Sequence, residues 1–150
     1  MTRLLSVLLV LGAALADTAS AGLPVTVVHV RDGDTLTVLL EGRSLTLDLG
    51  DVDAPEAPQA FAQRARQSLV NLCEHREAIL DQIEVDKKRR ISAYIERAGV
   101  DASGEQVRRG LARVIASDLP RRSPLPDVES EARAARRGMW AGDHVEGHAH

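Results

Sequence analysis

Residues 32–56 read DGDTLTVLLEGRSLTLDLGDVDAPE, with carboxylates gathered at both ends. Asp32 and Asp34 stand in the first cluster, and Asp51, Asp53 and Glu56 in the second. Between them, two alternating apolar segments meet at Glu41-Gly42. A tight reversal there pairs the segments antiparallel and brings their far ends side by side. Carboxylates that converge in this way repel one another unless a cation joins them, and a hard, oxygen-preferring ion such as Ca²⁺ is the usual one. Each motif also has a plainer reading. DGD is an ordinary turn sequence, and DAPE is an ordinary helix start with Asp as cap and Pro near the first turn. What points to a metal is the placement of both at the ends of one hairpin.

Two further features could act on the same site. Lys87-Lys88-Arg89-Arg90 is a run of four cations between two apolar segments. It is either a solvated turn or, at a barrel mouth beside a metal, a phosphate holder in which arginine gives bidentate contacts. In the segment RSLTLDL, Leu45, Leu47 and Leu49 share one strand face while Ser44, Thr46 and Asp48 share the other, because side chains alternate with period two. Asp48 is thus one more carboxylate close to those already assembled.

The elements that position these residues follow from periodicity. LPVTVVHVR (23–31), 35–40 and 43–49 read as three strands, with Val25, Val27 and Val30 inward in the first. Pro55 and Pro58 close that sheet segment. Phe61, Ala65, Leu69, Leu72 and Cys73 then recur at helical spacing to about His75. Residues 78–85 and 91–96 give a fourth and a fifth strand. Residues 99–104 read as a loop, 105–109 as a short helix ended by Gly110, and a last helix is capped by Asp127 and ended by Gly138. Met139 and Trp140 are expected to fold back onto the core. The sum is a mainly β, α+β domain: a five-stranded barrel of the oligonucleotide/oligosaccharide-binding kind with three helices.

Composition sets the frame. The chain has 150 residues and a formal charge of −3, which does not advertise a nucleic-acid binder. Residues 4–16, LLSVLLVLGAALA, are apolar after a short basic start, and small residues follow at Ala14-Leu15-Ala16 and Ala19-Ser20-Ala21. This is the pattern of a secretory signal peptide cleaved after Ala21 or Ala16, too short to span a bilayer. The expected organisation is a signal at 1–21, a domain at 22–141 and a His-containing tail at 142–150. The exported product is secreted or periplasmic, with no membrane span once the signal is removed, and monomeric, with no protein partner inferable. Cys73 is the single cysteine, so no intramolecular disulfide staples the domain.

The ordered set DGDT (32–35), DVDAPE (51–56), DKKRR (86–90), GLA (110–112) and the terminal stretch from Glu131 to Gly138-Met139-Trp140 resembles the staphylococcal nuclease family, from about Val25 to Trp140. The resemblance implies the same five-stranded barrel with three helices, and Ca²⁺-dependent cleavage of DNA and RNA phosphodiester bonds. It implies that Asp34, Asp53 and the Ala54 backbone carbonyl hold one Ca²⁺. It also implies that Glu56 positions or deprotonates the attacking water and that Arg90 holds the phosphate. Two departures accompany it. Asp48 stands where the resemblance implies a second phosphate-binding arginine, and Lys88-Arg89 stand where it implies Tyr-Gly. Ala116 and Asp118 occupy positions of pocket tyrosines, which leaves Phe61, Tyr94 and Trp140 as the aromatic residues of the chain. Lys87, Lys88 or Arg89 could replace the missing arginine. Asp48 could instead recruit a second cation, or pair with Lys87 or Arg89. The alternative to a nuclease is an inactive barrel of the same fold that binds nucleic acid or another polyanion.

Overall fold

The computed structural model describes residues 22–115, 119 and 123–142. The expected signal segment, residues 143–150 of the expected tail, Ala116 and Asp118 lie outside the described residues.

Three strands open the domain: β1 (Leu23–Val30), β2 (Thr35–Leu40) and β3 (Arg43–Leu49). Leu40 pairs with Arg43 across a two-residue turn in which Glu41 (φ 48°) and Gly42 (φ 80°) both take positive φ, as a type I′ hairpin requires. That turn sets the register so that Thr35 faces Asp48. Next come β4 (Val52–Asp53), α1 (Ala62–Cys73), β5 (Glu77–Val85), β6 (Ile91–Arg97), β7 (Val100–Asp101), α2 (Ala102–Arg108), β8 (Arg113–Val114), α3 (Leu125–Ala134) and a 3-10 turn at Gly138–Gly142. The sheet runs β3-β2-β1-β5-β6-β7, and β3 also pairs in parallel with β6 through Asp48↔Ser92 and Leu49↔Ala93. This last pairing joins β1, β2, β3, β5 and β6 into a closed five-stranded mixed barrel, the expected architecture.

The barrel interior is filled by the apolar phase of each strand. Val25, Val27 and Val30 of β1 are buried, and an irregularity in pairing between Val27 and His29 explains why the alternation slips by one residue. Leu36 and Val38, Leu47 and Leu49, Leu80, Ala93 and Ile95 complete the lining. Helix α1 contributes Ala65, Leu69 and Cys73, spaced by four residues along one face. Cys73 donates its thiol to the Leu69 carbonyl at 3.2 Å, and burial pushes that thiol up to about 12. It is a packing residue, with almost no thiolate at neutral pH.

Helix boundaries differ from expectation where side-chain caps act. Helix α2 begins at Ala102 rather than at residue 105, because the Asp101 carboxylate accepts from the Gly104 backbone N–H at 2.7 Å and stabilises the first turn. Gly104, which had suggested a loop, lies inside the helix. Helix α3 begins at Leu125. Pro124 occupies the position before it, and Asp127 sits in the first turn without capping it; prolines are tolerated there because the first-turn N–H groups have no helical acceptor. Trp140 does fold back. It is 5% exposed, with the Arg133 and Arg113 guanidiniums 4.1 Å and 5.2 Å from its ring centroid. Among the described residues no helix is long and apolar enough to cross a membrane.

The C-terminal helices are locked to α2 by a backbone contact at Gly110 (φ 69°). Met139 donates its N–H to the Gly110 carbonyl at 2.9 Å, and a Cβ on Gly110 would lie 2.1 Å from the Arg137 carbonyl oxygen. Gly110→Ala is therefore expected to destabilise by about 2–3 kcal/mol, combining the left-handed backbone cost with a backbone clash. A fall in the urea midpoint at unchanged m-value checks this.

Candidate active site

The DGDT turn is built by its first aspartate. Asp32 Oδ1 accepts from the backbone N–H groups of Asp34 (3.2 Å) and Thr35 (2.8 Å), an Asx-type turn that spends this carboxylate on local structure. Asp34 is then directed inward. Its Oδ2 accepts from the Ala54 N–H at 2.7 Å, and its carbonyl accepts from the Leu49 N–H at 2.7 Å. The two acidic motifs are thus tied to each other directly.

Two residues outside the motifs' acids make this approach possible. A Cβ on Gly33 would lie 2.5 Å from the Ala65 Cβ and 2.8 Å from the Ala54 Cβ, so only glycine lets the turn press against α1 and the second motif. Gln106 of α2 is 1% exposed, and its Nε2 donates to the carbonyls of Gly33 (2.6 Å) and Ala65 (2.9 Å). One buried amide therefore clamps the turn to the helix beneath it.

Above this support lies a cleft of about 630 Å³, lined by Arg31, Asp34, Asp48, Asp51, Asp53, Glu56, Arg89 and Arg90 among others. Asp34 is the buried member at 8% exposed, while Asp53 and Glu56 face solvent. Burial pushes the Asp34 carboxyl up to about 7, against the Ala54 N–H that favours its charge; the Asp32 carboxylate adds to the rise. Arg90 is set by Asp86, whose Oδ1 accepts from the backbone N–H groups of Lys88 and Arg90 (2.8 and 2.9 Å). The other oxygen, Oδ2, accepts from Arg90 Nε at 2.8 Å. Lys87 and Lys88 are exposed and do not line the cleft; Arg89 does.

The donor chemistry suits a hard cation. Asp34, Asp53 and Glu56 offer carboxylate oxygens around one space, and a carboxylate oxygen that accepts one hydrogen bond keeps a second lone pair for a cation. Among the described residues, however, no three Asp, Glu, His or Cys side chains are already gathered closely enough to cage an ion. Carbonyl oxygens and water would have to complete the shell, as they commonly do for Ca²⁺.

Asp48 sits in the cleft wall. Thr35 Oγ1 donates to Asp48 Oδ1 at 2.9 Å and lies 3.2 Å from Asp34 Oδ1. A hydroxyl has a single proton, and the nearer carboxylate, Asp48, draws it away from Asp34.

The family model described as Staphylococcal nuclease homologue matches residues 46–142, from within β3 to the end of the 3-10 turn. The chain belongs to the staphylococcal nuclease family. It is 33% identical over 125 residues to a micrococcal nuclease of Shigella flexneri, covering 77% of this chain and 72% of that protein. It is 33% identical over 142 residues to the ParB protein of Escherichia coli (87% and 79% covered). An uncharacterized endonuclease of Haemophilus influenzae is 32% identical over 117 residues (77% and 65% covered). The family is one of nucleases, which places this chain among hydrolases.

Seen as a staphylococcal nuclease homologue, the cleft brings together Asp34, Asp48, Asp53, Glu56 and Arg90 as the hairpin and barrel closure require. Tyr94 is not among the cleft-lining residues; its hydroxyl donates to Asp51. Phe61 lines a separate groove with Ala54, Gln59 and Arg113. Gly33, Thr35, Gln106 and Arg31 escape sequence reasoning. A large polar residue, Gln106, one turn from Ala102 and next to Val107 on the buried face of a short helix was the available signal for one. The placement of Arg31 immediately before DGDT was the signal for another.

Proposed function

We propose that this chain is an exported, Ca²⁺-dependent nuclease that hydrolyses phosphodiester bonds of DNA or RNA in the cleft between the DGDT turn, the DVDAPE segment and the β5–β6 turn. The observation that carries the reading is the Asp34–Ala54 hydrogen bond, which draws the two acidic motifs around a space also reached by Glu56 and Arg90. Export rests on the apolar run at residues 4–16.

In this reading water attacks phosphorus as Glu56 accepts its proton. A new P–O bond forms while a bridging P–O bond breaks, and the departing oxygen takes up a proton. Arg90 donates to the phosphate oxygens as negative charge builds on them, its own orientation fixed in advance by Asp86. Asp34, Asp53 and the Ala54 carbonyl would hold Ca²⁺, which would supply positive charge beside the phosphate.

A second reading is favoured by one observation, the Asp48 carboxylate inside the cleft. A non-catalytic barrel that binds nucleic acid or another polyanion would retain the fold without the rate. The two are separated by incubating the purified protein with single-stranded DNA and RNA under Ca²⁺, Mg²⁺, Mn²⁺ or EDTA, beside Glu56→Gln. The nuclease reading expects metal-dependent cleavage that falls about 10²–10⁴-fold in Glu56→Gln. No cleavage under any metal would leave only the binding module.

A further inference from the structure

We propose that Arg31 is a phosphate-binding residue of this cleft, gripping the backbone of the substrate from the wall opposite Arg90. The proposal rests on the nuclease reading and concerns where its second cation stands.

Register places Arg31 in the same row as Asp48. The Arg31 N–H donates to the Thr35 carbonyl at 2.9 Å, continuing the β1–β2 pairing beyond Val30↔Leu36. Thr35 is opposite Asp48, and Asp48 is opposite Ser92. Adjacent strands lie about 4.8 Å apart, so the Arg31 backbone stands roughly 10 Å from that of Asp48, two strands along the rim. Arg31 stands at the β1 end of that row and Arg90 two residues before Ser92 at its β6 end, and both line the cleft.

The two arginines are also held alike. Arg31 Nε donates to Asp32 Oδ2 at 3.1 Å, and Arg90 Nε donates to Asp86 Oδ2 at 2.8 Å. Each guanidinium is oriented by a carboxylate close in sequence that engages only Nε. Among the described residues neither donates a hydrogen bond from its terminal nitrogens. Those nitrogens are the fork that grips a phosphate in bidentate fashion. Asp32, whose Oδ1 builds the DGDT turn, thus uses its other oxygen to aim Arg31.

Electrostatics agrees with the geometry. The Asp32 hydrogen bond and charge hold Arg31 firmly in its charged form, and the Asp48 and Glu56 carboxylates act on it in the same direction. The guanidinium therefore lies in the field of the cleft carboxylates. Its side chain is 62% exposed, so a substrate can reach it. A solvated surface pair with Asp32 is the bland alternative, and the two readings differ in what Arg31→Gln does.

The experiment compares kcat/KM on single-stranded DNA for the parent, Arg31→Gln, Arg31→Lys and Arg43→Gln, the last an exposed arginine at the start of β3. In the Glu56→Gln background, oligonucleotide affinity is measured against salt for the same set. The expected result is about a 10²-fold loss in Arg31→Gln, partly restored in Arg31→Lys, with Arg43→Gln within about twofold of the parent. The salt slope should flatten by about 0.7 in Arg31→Gln, the signature of one lost contact to a single strand. In an Asp48→Arg background, the Arg31→Gln loss should shrink to about threefold or less, because two cations serving one phosphate are not additive. A parent that cleaves while Arg31→Gln matches it in rate and slope overturns the role of Arg31 and leaves the nuclease reading standing. A parent that cleaves nothing overturns the nuclease reading; Arg31 is then judged on binding, where an unchanged slope overturns it too.

Discussion

Replacing Asp34 by Asn is expected to reduce cleavage by more than the roughly 10²–10⁴ carried by a single general base, and to abolish Ca²⁺ binding by calorimetry. The carboxylate is the buried acid of the cleft and the one bonded to both motifs. The amide side chain keeps an acceptor for the Ala54 N–H, so the fold should survive. The same variant makes a pH prediction. In the fold the Asp34 carboxyl is pushed from its ordinary 3.8 up to about 7. Between those values the folded state holds the proton more tightly than the unfolded chain does. Its contribution to stability is therefore full below about pH 4 and is lost as pH rises through 7. Other carboxylates act in the opposite sense, so the quantity to measure is the Tm difference between the Asp34→Asn variant and the parent, both metal-free. The variant should gain several degrees relative to the parent from pH 4 to 8. Added Ca²⁺ should raise the parent's Tm and leave the variant's unchanged. Equal Ca²⁺ affinity in the two proteins would remove Asp34 from the metal site.

Gln106→Leu is expected to cost about 2–3 kcal/mol in urea unfolding, the largest stability loss foreseen for a single polar residue here. The volume is nearly kept, so the effect is one of hydrogen bonding. The Gly33 carbonyl loses its donor while buried, at about 1–3 kcal/mol, and the Ala65 carbonyl loses its second bond while keeping the helical one within α1. One of these carbonyls belongs to the turn that carries Asp34. Ca²⁺ affinity should therefore fall at temperatures where the variant is still folded. A Leu variant as stable as the parent would mean that water or a shifted backbone replaces the amide.

The two predictions divide along what could be read from the chain. Strand phase, the Glu41-Gly42 hairpin and the meeting of DGDT with DVDAPE were legible, because period-two alternation and turn chemistry are local signals. So was the place of Asp48 on the strand face away from the leucines, since register follows from the hairpin; that it stands in place of an arginine is what the resemblance implies. The roles of Asp32 and Asp34 were not separable in sequence; both are acids in a turn, and only the hydrogen bonds reveal one as a builder and the other as a site residue. The early start of α2 was hidden because Gly104 weakens helical pattern while the Asp101 cap that restores it depends on backbone geometry. Gln106 was missed because it acts on carbonyls distant in the chain, and periodicity carries no such information. Arg31 bonds its neighbour Asp32, and only the fold shows that it lines the cleft. In the basic run, four adjacent cations looked equivalent, but a turn can point only some of them at the cleft.

The β3–β6 seam consists of two residue pairs about forty-four positions apart in the chain, and one member of the first pair is Asp48 itself. Arg90 arrives from one side of that seam and the aspartates from the other. Before the ring shuts, the acids and the guanidinium of the proposed site belong to separate parts of an open sheet. Under the nuclease reading a partly folded chain is expected to be chemically silent, and the appearance of cleavage during refolding would time the moment of closure.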